Sequence, residues 1–297
     1  MDAPKKRNRV LDGLLLAALV VGVHFLAYRA AMLLFLKSQD YSADAGILVV
    51  GNSRVEQGIM RRKVDASVAG GAAFLASQGM DLKMAAHLAE SHLVESGRAT
   101  TIWMSVDPWQ LSEQYGEQGY RSWLPLLDRP VMNAFFREEM KDSRRDYWFM
   151  KGIPLLRFNA VKARLMRTAM GLGGLSVNDK VVSASQIDEV LASYAEEPLK
   201  TDGAKLRDLA DICAFAEARG VALRLFFMPV IPELARPWDI PGFRASIDSL
   251  LRDHPTVRFI DFNDRLREHA YFRDTGHLNR HGAKAFSAIF ADSLNLP

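Results

Sequence analysis

The sequence predicts an α/β fold, a parallel sheet covered by helices on both faces, standing behind one membrane-spanning helix. Three observations carry this. Short apolar, β-branched runs recur along the chain with helical patterns between them, as a parallel sheet requires. One apolar stretch near the N-terminus is long enough to cross a bilayer. The first strand opens into a Gly-Asn-Ser turn, which suits the carboxyl edge of an open sheet, where ligands gather.

The chain has 297 residues, 49% apolar and 25% charged, which excludes a disordered or collagen-like protein and suits one large domain or two small ones. Its 38 Lys and Arg against 35 Asp and Glu leave +3, and Lys5, Lys6, Arg7 and Arg9 against Asp2 already supply that excess. The remainder is close to neutral, so no basic face for nucleic acid is expected. Cys213 is the only cysteine, so there is no internal disulfide and no Cys-x-x-Cys metal site.

Taken in order, the basic tail (1–12) is followed by GLLLAALVVGVHFLAYRAAMLLFL, residues 13–36. At about 1.5 Å per residue this run reaches ~36 Å, more than the ~30 Å of a hydrocarbon core. A cleaved signal peptide is the competing reading. The run is too long for one, and no small-x-small site closes it before Lys37. Arg29 can snorkel to the head groups. The positive-inside rule sets the tail in the cytoplasm and residues 38–297 outside, the periplasmic face of the inner membrane in a bacterium. KSQDYSADA (37–45) reads as a short stem.

Strands are predicted at 46–50, 72–76, 100–106, 221–228 and 257–261. Helices are predicted at 81–95, 204–218, 241–252 and 284–294, the second closed by Arg219-Gly220 as a C-cap. Five strands in this alternation suggest a flavodoxin-like three-layer α/β/α domain over 46–297. Residues 110–200 are too long for a crossover and read as a helical insertion. Between Arg121 and Arg167 the insertion holds eleven Lys or Arg and five Asp or Glu. The segment 155–170 mixes apolar and basic residues at helical spacing, which suits anionic lipid, a membrane partner or a solvated basic face.

Ser53 follows the first strand with a helix expected after it, so its own N–H would point at a developing oxyanion. An N-cap role alone is the alternative. Near the C-terminus, Asp274-Thr275-Gly276-His277 precedes another helix, and an Asp three residues before a His can orient and charge-stabilise the imidazole as a base. Ser, Asp and His in this chain order form a nucleophilic constellation that needs no metal or other cofactor. His24 is read as a helix-packing residue, and His87, His92, His254 and His269 show no metal spacing. Trp109 stands either at the site rim, where it could stack on a sugar ring, or in the core. Arg54 either pairs with a carboxylate or steers an anionic substrate.

These blocks resemble the SGNH/GDSL hydrolase superfamily over roughly 46–109 and 203–294. Gly51-Asn52-Ser53 is similar to its nucleophile block, Gly79 to its oxyanion glycine, and Asp274 with His277, Leu278, Asn279 and Gly282 to its Asp-x-x-His block. The resemblance implies catalysis by Ser53, His277 and Asp274, with the N–H groups of Ser53 and Gly79 as oxyanion donors. One block departs: Asp107 stands where the family has an oxyanion Asn, and an ionised carboxylate cannot donate. Asp107 then holds a sugar hydroxyl or is structural. The departure is similar to membrane-anchored SGNH-like proteins of surface-polymer O-acylation, such as the alginate acetylation proteins and the D-alanyl transfer protein of teichoic acids. That likeness implies a polysaccharide substrate and a multi-spanning membrane O-acyltransferase as partner. Two functions are therefore open: an anchored acyltransferase or esterase, and an inactive scaffold or polymer-binding subunit with the same fold.

Overall fold

In the structure, a computed structural model, residues 9–39, 44–68, 70–96, 98–116, 119–170, 177–196 and 199–294 are described. Five strands, β1 (Ile47–Gly51), β2 (Ala72–Ala76), β3 (Thr101–Ser105), β4 (Ala222–Phe227) and β5 (Arg258–Asp261), form one parallel sheet in the order β2-β1-β3-β4-β5. Every residue of β2 is buried, and all but the first of β1 and of β3. Burial on both faces is why these strands read as continuous apolar runs rather than as alternating ones.

The helices are α1 (Arg9–Gln39), α2 (Ser53–Gly58), α3 (Arg61–Asp65), α4 (Leu82–Ser96), α5 (Pro130–Glu139) and α6 (Arg144–Gly152), followed by α7 (Lys162–Ala169), α8 (Ala184–Glu196), α9 (Gly203–Ala218), α10 (Ile240–Leu251) and α11 (Arg280–Ser293). Successive strand residues face opposite ways, and the aromatic contacts show both faces filled. Phe290 of α11 lies 5.2 Å from Trp103 and 5.0 Å from Phe226, while Phe243 of α10 meets Phe227 at 5.3 Å and Phe259 at 5.9 Å. The result is the three-layer, flavodoxin-like arrangement, whose strand order reverses between β1 and β3. That reversal opens a crevice at their carboxyl ends.

Among the described residues, one N-terminal helix is long and apolar enough to cross a membrane, spanning Leu11–Gln39. Its first part is exposed, but from Tyr28 onward it packs on the domain. Tyr28 meets Phe158 edge-on at 6.0 Å, and Phe35, fully buried, lies between Trp123 (5.9 Å) and Phe158 (6.3 Å). The stem read at 37–45 is correspondingly shorter. Lys37, Ser38 and Gln39 continue α1, Gln39 is buried, and Ala45 is already in the core. Tertiary packing, not apolar composition, carries the helix past Leu36. Residues 40–43 of that stem, and Lys5, Lys6 and Arg7 of the basic tail, lie outside the described residues.

The insertion is mainly helical, holding α5 to α8 and three short 3₁₀ turns, at Gly119–Leu126, Lys141–Ser143 and Pro154–Phe158. The segment 155–170 is broken into the last of these turns and α7. Both flank α1, so the insertion braces the root of the apolar helix.

Candidate active site

Gly51 ends β1 where α2 folds back tightly. A Cβ there would sit 2.3 Å from Val55 Cγ2 and 2.6 Å from Ser105 Oγ, so only glycine lets the helix start this close to the strand. Asn52 caps α2, its Oδ1 accepting from the N–H of Arg54 at 3.0 Å, and Ser53 becomes the first helical residue. The tight turn lifts Ser53 to the carboxyl edge of the sheet, half-exposed.

His277 arrives from the far end of the chain. Asp274 Oδ1 accepts from the N–H groups of Gly276 (3.0 Å) and His277 (2.8 Å), which shapes the Asp-x-x-His turn. The same oxygen lies 2.9 Å from His277 Nδ1, and His277 Nε2 lies 2.8 Å from Ser53 Oγ. The tautomer that satisfies both contacts carries its proton on Nδ1 and accepts the Ser53 hydroxyl at Nε2. Burial by itself raises the pKa of the Asp274 carboxyl. The hydrogen bond and charge of His277, the N–H of Gly276 and the guanidinium of Arg273 outweigh it and hold the group well below the usual carboxylate range. Arg273 reaches Asp274 Oδ2 at 3.0 Å.

Arg54 and Asp107 face inward, not toward the crevice. They are 6% and 2% exposed and pair at 3.1 Å. Asp107 Oδ2 also accepts from Asn52 Nδ2 (3.2 Å), and Oδ1 accepts from the Gln110 N–H (2.8 Å). The carboxylate is thereby committed to protein donors, and the sugar-hydroxyl role considered for it finds no support. Arg54 is committed likewise. Its Nη2 donates to the carbonyls of Met228 (2.6 Å) and Pro229 (2.9 Å), and its Nε to that of Gly276 (3.1 Å). Burial pulls the guanidinium's pKa down, and Asp107 counters it. One side chain thus ties α2, the ends of β3 and β4, and the Asp274–His277 turn. Steering of an anionic substrate by Arg54 is ruled out by that burial. Trp109 is half-buried and packs edge-on against Tyr115 (6.2 Å) and Tyr194 (6.3 Å).

Gly79 lies in the loop after β2, whose end pairs with the end of β1 (Gly51 with Ala76). Its φ of +72° is a left-handed conformation suited to glycine. The insertion holds this loop in place. Trp123 Nε1 donates to Ser77 Oγ at 2.9 Å, Gln110 Nε2 and Tyr115 Oη donate to the Met80 carbonyl, and Gly119 packs directly on the Gly79 peptide. The Gln78 N–H donates to Glu56, a carboxylate on α2 that also pairs with Arg164 of α7. Burial pushes the Glu56 pKa up against the opposing effect of Arg164.

The sequence reading missed Asn52, Arg273, Glu56 and Arg164 as contributors. Arg273 stands beside Asp274, and Asn52 stands inside the Gly-Asn-Ser block, so both carried a local signal. Arg164 lies 108 residues from Glu56 and carried none.

No protein-family model matches the chain, and no curated protein sequence matches it. Among solved structures, the chain is similar to a provisionally assigned platelet activating factor from Streptococcus pneumonia, at 13% identity and a TM-score of 0.46 over 95% of this chain and 99% of that one. It is also similar to a GDSL-like lipase from Bacteroides thetaiotaomicron, at 9% identity and a TM-score of 0.43 over 84% and 88%. A third is a catalytic mutant of an acetylxylan esterase from Geobacillus stearothermophilus, at 8% identity and a TM-score of 0.40 over 84% and 94%.

Proposed function

We propose that the chain is a membrane-anchored serine acyl-transfer enzyme of SGNH/GDSL type, with Ser53 as nucleophile, His277 as general base and Asp274 as its orienting carboxylate. The observation that carries the proposal is the continuous chain of contacts from Ser53 Oγ through the imidazole to Asp274, at 2.8 and 2.9 Å.

Ser53 Oγ attacks the acyl carbonyl of an ester while its proton passes to His277 Nε2. The imidazolium is held by Asp274, and the oxyanion by the N–H groups of Ser53 and Gly79. Collapse expels the alcohol, which takes the proton from His277, and leaves an acyl-serine. An incoming hydroxyl then gives its proton to His277 and attacks the acyl carbon. The bond to Ser53 Oγ breaks, and Oγ takes that proton back from His277. If that hydroxyl belongs to water the enzyme is an esterase, and if it belongs to a sugar it is an O-acyltransferase. The short link between α1 and the domain keeps the site near a membrane acyl supply and so favours transfer. The acceptor in this proposal is a surface or exported polysaccharide outside the cytoplasmic membrane, with a multi-spanning O-acyltransferase as the acyl supply.

The test is turnover of an aryl acetate by the detergent-solubilised full chain, together with labelling by a fluorophosphonate. Labelling at Ser53 is expected, and its absence would leave the inactive-scaffold reading. Only the neutral imidazole accepts the proton of Ser53, which is the role the contact at Nε2 gives it. Asp274 stays ionised throughout. Its stabilising contribution is complete above about pH 4 and is lost as pH falls toward its depressed pKa. Asp274→Asn is expected to lower kcat by on the order of 10²–10⁴, and EDTA to leave turnover unchanged, since base and nucleophile are both side chains. Adding a soluble polysaccharide acceptor and measuring acylated sugar against free acetate separates transfer from hydrolysis.

Gly119→Ala probes the loop that carries the second oxyanion donor. Its Cβ would fall 2.3 Å from the Gly79 carbonyl and 2.7 Å from the Met80 nitrogen, both backbone atoms that must move. Loss on the order of 10² in kcat with little change in KM is expected, because the displaced N–H serves the transition state.

A further inference from the structure

Although α1 as a whole is long enough to span a bilayer, the part of it that stands clear of the domain is shorter than the bilayer it would cross. Asp12 bounds the stretch at one end, and the domain first touches α1 at Tyr28. The 15 residues from Gly13 to Ala27 rise about 22 Å at ~1.5 Å per residue. A hydrocarbon core of ~30 Å needs about 20 residues. The bilayer therefore has to extend past Tyr28, to the level of the elements packed there.

Those elements belong to the insertion. Arg157, in the 3₁₀ turn before α7, stacks 5.9 Å from the Tyr28 ring and donates to the carbonyls of Met150 (2.7 Å) and Lys151 (3.2 Å) at the end of α6. The corner between α6 and that turn is thus linked to Tyr28 through one guanidinium. It carries Trp148 (64% exposed), Phe149 and Ile153, which line a shallow groove with Arg145 and Gly152. On α7, which packs along α1, Met166 is 63% exposed and Met170 follows it. Arg144, Arg145 and Lys162 are exposed on the same two helices. Large apolar side chains, one of them Trp, with cations beside them, match the boundary between acyl chains and anionic head groups.

We infer that this face of the insertion, Trp148, Phe149 and Ile153 of the α6 corner with Met166 of α7 and Met170 just after it, is a second membrane contact that seats the domain on an anionic bilayer beside α1. The inference rests on α1 crossing the bilayer. Docking onto a protein partner is the competing use of the same face.

The experiment uses the full chain in nanodiscs of mixed phosphatidylcholine and phosphatidylglycerol, with no other protein present. Single cysteines are introduced as Val20→Cys, Trp148→Cys, Met166→Cys and Asp253→Cys, each labelled with an environment-sensitive fluorophore. The native Cys213 is fully buried and its thiol is pushed up to about 12 by that burial, so it stays unlabelled. Position 253 is exposed beside β5, the edge strand farthest from β2. Labels at 148 and 166 are expected to emit to the blue of that at 253 and to lose quenching by aqueous iodide, as the label at 20 does. Labels at 148 and 166 as open to iodide as at 253, with 20 shielded, would overturn the inference, leave α1 as the anchor and point to a protein partner. A label at 20 open to iodide would overturn the anchor reading and this inference together. Equal shielding in pure phosphatidylcholine would overturn the part assigned to the cations.

Discussion

Replacing Ser53 with alanine is expected to lower aryl acetate turnover by on the order of 10⁴–10⁶ and to abolish fluorophosphonate labelling, without unfolding the protein. The size follows from the non-additivity of triads, in which loss of the nucleophile alone removes nearly everything the three residues contribute. What survives is binding and the oxyanion donors, worth roughly 10³–10⁴ over water. The fold should tolerate the change because Asn52, not Ser53, caps α2, and Ser53 Oγ is half-exposed with His277 as its partner. Turnover within tenfold of wild type, with the melting temperature unchanged, would reject Ser53 as the nucleophile.

Arg54→Met is the variant expected to cost most in stability. The guanidinium is buried and makes four hydrogen bonds, to Asp107 and the carbonyls of Met228, Pro229 and Gly276, with Phe227 and Trp238 against its face. Removing one member of a buried ion pair strands the other charge, which typically costs about 3–5 kcal/mol. At roughly 2–4 °C per kcal/mol for a domain of this size, the melting temperature should drop on the order of 10 °C. Asp107→Asn alone strands the cation instead. The double variant Arg54→Met/Asp107→Asn should lose less than the two single losses combined, since neither charge then remains uncompensated. Additive losses would show that the pair is not the source of the effect. Activity should fall in step, because Arg54 also holds the Gly276 carbonyl within the turn that presents His277.

Much of this architecture is written locally. Strands β1, β2 and β3 are visible because buried parallel strands are apolar on both faces, and the helix α11 because Asn279 caps it and its apolar stripe repeats. The Gly-Asn-Ser and Asp-x-x-His blocks are legible for the same reason. Each is a turn whose geometry is fixed within four residues. Arg54 could not be read this way. Its partners stand 53, 174 and 222 residues away, so only the folded chain decides between an internal ion pair and a substrate contact. The same holds for the insertion, whose composition announces a helical, basic segment but not that Trp123, Tyr115, Gly119 and Arg164 brace the loop beyond β2. The junction after α1 escaped for a related reason. Lys37, Ser38 and Gln39 look like the start of a polar stem, and it is the burial of Phe35 and Gln39 that makes them helix.

If α1 crosses the bilayer as proposed, the way it enters the domain also governs what the site can reach. A nine-residue flexible stalk would spread the site over a radius of roughly 15–18 Å, by the square-root scaling of a random coil. Here Phe35 and Gln39 lock the helix into the core, so α1 acts as a post, not a tether. An anchored Ser53 would then patrol one plane at a set height above the lipid, moving with the lateral drift of the whole molecule. Encounters are concentrated in that plane, and the effective concentration of any donor confined to the same membrane rises accordingly. The proposed polymer substrate would have to supply the remaining freedom itself, bending into the plane to meet the serine.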